Sequence, residues 1–125
     1  MSIPPGQPYA YQPPQPLSPS DEKMWSTLTH VAGIFVPLVA ALIAYLVLKD
    51  RGPFVRAHTA TALNFHISLV IYGLGILVLS IPTFGLATFL VFPLSIVMII
   101  FCIIAAVASN KGEFYKYPIT IEFVR

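Results

Sequence analysis

Charge is what this chain has least of. Only 10% of its 125 residues are charged, and the stretch Ala57–Asn110 holds no Asp, Glu, Lys or Arg. A soluble domain carries about a quarter charged residues to keep its surface in water, so a soluble globular fold is excluded for most of the chain. As helix, at about 1.5 Å per residue, the charge-free stretch is roughly 80 Å long. That is too long for one bilayer crossing and right for two crossings and a turn. Cysteine is nearly absent as well: Cys102 stands alone in an apolar run, which rules out an internal disulfide and reads as a small core hydrophobe. The net charge of +2 is too small to suggest a nucleic-acid partner. No basic segment precedes the first apolar run, so that run is expected to stay as a membrane anchor rather than leave as a signal peptide.

Catalytic patterns are missing too. The chain has no H-E-x-x-H, no paired intramembrane Asp, no Ser–Lys arrangement and no glycine-rich phosphate loop. Asp50, Glu113 and Glu122 are scattered at the edges of apolar segments, whereas acid–base chemistry needs two groups converging on one cavity. His58 and His66 are about 12 Å apart along a helix axis and cannot chelate one ion together. The expectation is a protein that is not an enzyme and holds neither cofactor nor metal.

What the chain has is proline at one end and oil everywhere else. Most of its twelve prolines fall before residue 20, and with so many missing donors and so little apolar surface residues 1–17 are expected to form a disordered tail of polyproline II character. The P-x-x-P spacings Pro5/Pro8, Pro13/Pro16 and Pro16/Pro19 also match docking ligands, but such tails meet that pattern easily. Residues 18–125 read as one multi-pass helical domain. Ser18 or Ser20 can cap a first helix, Pro19 suits its first turn, and Asp21 and Glu22 complement its dipole. This predicts an all-α membrane protein with three transmembrane helices, over about 20–48, 54–80 and 86–109. Pro37 and Pro93 should kink the first and third. Lys49-Asp-Arg-Gly-Pro53 and Ile81-Pro-Thr-Phe-Gly85 supply the turns. Phe114, Tyr115 and Tyr117 read as interfacial anchors, and the alternation in Ile119–Phe123 as an extended segment lying on a surface.

Three crossings place the tail and the Pro82 turn on one side, with Lys23 alone. The other side receives Lys49, Arg51, Arg56, Lys111, Lys116 and Arg125. The positive-inside rule then puts the N-terminus outside and the C-terminus in the cytoplasm.

Polar groups inside a membrane are expensive and are the default functional candidates. Arg56 lies within a turn of a helix start, where it can snorkel to lipid phosphate. His30, His58 and His66 are unclustered in sequence. Asn64 lies more than two turns into the second helix, so its amide needs protein partners: either interhelical glue or a gating or substrate contact. Gly73, Gly75, Ala40 and Ala44 read as close-packing positions that could also mark a self-association face.

Trp25-x-x-Leu28-x-His30, Pro37, Gly52-Pro-Phe-Val-Arg-x-His58, Ala62-Leu-Asn-Phe65, Gly112 and Tyr117-Pro118-Ile together resemble a family of small bacterial membrane proteins of unknown function. That family is in turn similar to the Tic-twenty-type component of chloroplast protein import. The resemblance covers about Asp21 to Val124. It implies a bacterial plasma-membrane location and importance for His58 and Asn64, while Gln is frequent in that family where His66 stands here. The expected role is a non-enzymatic helix-packing, assembly or translocation-associated subunit, with the lipid bilayer and other membrane proteins or copies of itself as partners. The alternative is an oligomeric channel or small-solute carrier with Asn64 and His58 lining its path.

Overall fold

A computed structural model describes Gly6, residues 14–118 and residues 120–125. Most of the expected disordered tail lies outside the described residues. Within them the chain forms four α-helices and no strand: α1 (Pro19–Phe35), α2 (Val39–Leu48), α3 (Pro53–Ser80) and α4 (Val91–Asn110), the last preceded by a 3₁₀ turn at Leu86–Leu90.

Helix α1 starts where its signals stand. The Ser18 hydroxyl accepts the Asp21 N–H at 3.2 Å, and Pro19 occupies the first turn, where its missing donor is harmless. It stops at Phe35, which corrects the expectation of one kinked helix over 20–48. Pro37 does not bend a continuous helix; the chain folds back on itself. The Val39 N–H donates to the Pro37 carbonyl at 2.7 Å across Leu38, whose φ of 64° and ψ of −54° make a γ-turn of the rarer, strained hand. Helix α2 then returns along α1, so that Ala40, Ala44 and Val47 face Trp25, Leu28 and Ala32 across a shared groove. The Leu17 N–H donates to the Arg51 carbonyl, closing the hairpin at its base. At about 25 Å and 15 Å, α1 and α2 are both short for a spanning helix.

Two helical segments are long and apolar enough to cross a membrane, Pro53–Ser80 and Leu86–Asn110. The expected three crossings are therefore two plus a helical hairpin, and the outside placement of the N-terminus loses its premise. The long segments match the expected second and third helices closely. Pro93 sits in the first turn of α4, where it removes no intrahelical bond.

The start of α3 is held by another helix. Gly52 has no side chain to cap with, and the Glu22 carboxylate of α1 accepts the Phe54 and Val55 N–H groups, each at 3.1 Å, in place of a local cap. A Cβ on Gly52 would stand 1.9 Å from the same carboxylate oxygen. A side chain at position 52 would have to displace the Glu22 carboxylate from its capping position. Further along, Gly33 lets the His66 ring approach to 2.7 Å of where its Cβ would be.

Packing concentrates at one end of the bundle. Helix α1 lies against both α3 and α4, which hardly touch each other, while α2 covers α3. From Val55 to Ser68 most of α3 is buried; from Val70 to Leu79 it is largely exposed, as is α4 from Val91 to Ile100. The chain from Glu113 onward returns over the buried half of α3. Tyr117 enters a core with Phe65, Cys102 and Ala105, and Val124 packs on a second core of Ala41, Tyr45, Ala60, Ala62 and Leu63. Glu22→Ala removes the cap that joins α1 to α3. It is expected to lower stability by about 0.5–2 kcal/mol, read as an earlier thermal transition of the detergent-solubilised protein; an unchanged transition contradicts the role given to this carboxylate.

Candidate functional site

The sequence places most of its polar candidates on the polar half of α3, and the fold brings two of the candidates, His58 there and His30 on α1, into one buried network with the tail. His30 on α1 and His58 on α3 are both fully buried. His30 Nε2 lies 2.9 Å from His58 Nδ1, His58 Nε2 lies 2.8 Å from the Glu113 carbonyl, and the Tyr117 hydroxyl lies 2.6 Å from His30 Nδ1. The direction of each bond follows from the one group that can only accept. The Glu113 carbonyl requires the proton on His58 Nε2. A neutral His58 then accepts at Nδ1 from His30 Nε2–H, and His30 Nδ1 accepts from the Tyr117 hydroxyl. Burial, reinforced by Cys102, pushes the Tyr117 phenol well above the ordinary tyrosine range, which keeps it a donor. Tyr115, nearer the surface, is raised by the same two causes.

Asn64 does something different. Its Oδ1 accepts the Phe123 and Val124 N–H groups at 2.9 and 2.8 Å, and its Nδ2 donates to the Val124 carbonyl at 2.8 Å. One side-chain amide thus holds two consecutive N–H groups and a carbonyl of the returning chain. One turn on, the Ser68 hydroxyl accepts the Ile121 N–H at 2.9 Å while donating to the Asn64 carbonyl. Residues 120–125 form no regular helix or strand and are held by side chains of α3 and, through Tyr45, of α2; Ile119, the first residue of the segment expected to be extended, lies outside the described residues. Arg56 donates through Nε and Nη2 to the Arg125 carbonyl, which also accepts from Tyr45, and it pairs with Asp50 at 3.8 Å.

His66 stands apart from the His30–His58 pair. Its Nδ1 lies 2.8 Å from the Ala62 carbonyl and its Nε2 3.3 Å from that of Gly33; a neutral ring has one N–H, and the shorter contact takes it. Gly73 and Gly75 are open: a Cβ on either would meet nothing within 4 Å, so neither packs closely within this chain. Ala40 and Ala44 line the α1–α2 groove. Among the described residues no three metal-ligating His, Cys, Asp or Glu side chains converge.

Sequence reasoning missed Tyr117, read as an interfacial aromatic and found only 2% exposed. It also missed Glu22, Gly33, Ser68 and the hydroxyl pair Thr27–Ser109, 3.0 Å apart between α1 and α4. The available signal was spacing: Asn64 and Ser68 are one turn apart and face an alternating tail.

A helical membrane protein whose polar half-helix is sealed by its own tail is the class these contacts define. The chain belongs to the MamF/MmsF family, the magnetosome magnetite crystal formation protein family, whose profile matches residues 21–124. No curated protein and no solved structure gives a significant match. The family assignment overturns the expected kinship with the Tic-twenty-type import component, and the translocation-associated role falls with it.

Tyr117→Phe leaves His30 Nδ1 buried without a donor. The expected loss is about 1–3 kcal/mol, measured as thermal or denaturant stability in detergent. A variant as stable as the parent would mean that the hydroxyl is not part of the network.

Proposed function

We propose that this protein is a non-enzymatic helical component of the membrane around a forming magnetite crystal, acting through contacts with neighbouring membrane proteins or copies of itself. The observation that carries this reading is the sealing of the polar half of α3. His58 and Asn64 are buried and bonded to α1 and to the tail, which favours an internal scaffold over a wet path. A channel or carrier needs those same groups to face water. The outer halves of α3 and α4 offer bare apolar surface, with Gly73 and Gly75 open to a partner helix. Chemically this is an assembling surface.

The test is genetic and morphological. Removing the protein from a magnetite-forming bacterium is expected to alter crystal size or number, and Asn64→Ala, which unfastens the tail, to restore the normal crystals less well than the parent sequence. Unchanged crystals in the deletion would sink the reading.

We further propose that both ends of residues 14–125 face the cytoplasm. Leu17 bonds Arg51, Glu22 caps α3, and a Cβ on Gly112 would touch the Lys23 side chain. Every Lys, Arg, Asp and Glu therefore gathers at one end, while the 81–90 turn at the other has none. The positive-inside rule favours the cytoplasm for the charged end. On a Cys102→Ser background, Ser20→Cys and Lys111→Cys should react with an impermeant thiol reagent from the same side, and Thr83→Cys from the opposite one. Labelling of the first two from opposite sides refutes the arrangement.

A further inference from the structure

The groove between α1 and α2 has a chemistry that the scaffold reading does not use. It encloses about 490 Å³, within the range of small-ligand sites. Its walls are almost wholly apolar, from Trp25 and Leu28 on one side to Ala40, Ala44 and Val47 on the other, and the Thr29 hydroxyl in it is turned back onto the Trp25 carbonyl at 2.8 Å. Small side chains on α2 create the width. Arg51 stands at the mouth.

Two observations select the occupant. The first is length. Helix α2, which forms one wall, has ten residues and is about 15 Å long, half of a hydrocarbon layer of roughly 30 Å. The groove is thus as deep as one leaflet. The second is charge. Among the described residues Arg51 is in no ion pair, its Nε donating to the Gln15 carbonyl. The nearby acids are engaged elsewhere: Glu22 caps α3, and Asp50 pairs with Arg56. Asp21 lies in the first turn of α1, where it faces the positive end of that helix. Trp25 adds an indole N–H without a partner among the described residues, on a residue type favoured at headgroup depth.

We infer that the α1–α2 groove holds one acyl chain of an anionic phospholipid from the leaflet at the charged end, with the lipid phosphate on Arg51. The fit of groove to leaflet seats the chain, and the guanidinium distinguishes an anionic headgroup from one that brings its own cation. This site is independent of the network under the tail and of the membrane partners proposed above.

Trp25 is the chain's one tryptophan and lines the groove, so it reports occupancy without labelling. The full chain, in bilayer discs of mixed composition, is titrated with phosphatidylglycerol or phosphatidylcholine carrying brominated chains, which quench indole on contact. The brominated phosphatidylglycerol should quench at a roughly five-fold lower mole fraction, the preference one surface cation provides. Arg51→Gln should make the two lipids equivalent. Ala44→Phe, which fills the groove, should weaken quenching by both, with helix content checked by circular dichroism for each variant. Equal quenching by the two lipids in the parent protein, a preference that survives Arg51→Gln, or full quenching in Ala44→Phe each overturns the inference.

Discussion

A polar group surrounded by lipid has no water to fall back on, and the rest of the molecule is arranged around that constraint. The first half of α3 carries Arg56, His58, Thr59, Asn64, His66 and Ser68 in a chain that is otherwise short of polarity. Each finds its partner inside the protein. The threonine and serine hydroxyls turn back onto carbonyls one helical turn earlier, while His58 and Asn64 reach across to α1 and to the returning tail. An unmet amide or imidazole in this setting costs several kcal/mol. The tail is therefore part of the membrane domain's interior, although its sequence has the look of an appendage.

The motif residues that the sequence displays acquire physical reasons from this arrangement. Gly52 makes room for Glu22; Gly112, with φ of 80°, lets the chain turn beside Lys23. His30, His58 and Tyr117 are three links of one chain of hydrogen bonds, and Asn64 is the clasp for its end. Residues spread from position 22 to 124 thus serve a single closure, in which α1, α3 and the tail hold one another.

Much of the fold could be read beforehand. The charge-free stretch dictated two spanning segments, and the Pro and Gly signals placed their ends within a few residues of Pro53–Ser80 and Leu86–Asn110. The Ser18 cap was likewise legible, because a cap is a local pattern. The reversal at Pro37 was not: hydropathy is the same whether a helix kinks or folds back, and the decision rests on Leu38 adopting a positive φ and on Leu17 meeting Arg51. Tyr117 was misread for a related reason. An aromatic beside cations suits an interface equally well as a core, and only the position of His30 on another helix separates the two.

The order in which the chain is made gives this closure a further meaning. Helix α3 leaves the ribosome well before residues 113–125, so Asn64, Ser68 and His58 enter the bilayer while the backbone that satisfies them is still being synthesised. Until it arrives, the half-built protein carries an open seam of donors and acceptors. A stall in translation beyond Asn110 exposes that seam rather than merely shortening the chain, and it offers membrane quality control a clear mark of an unfinished molecule.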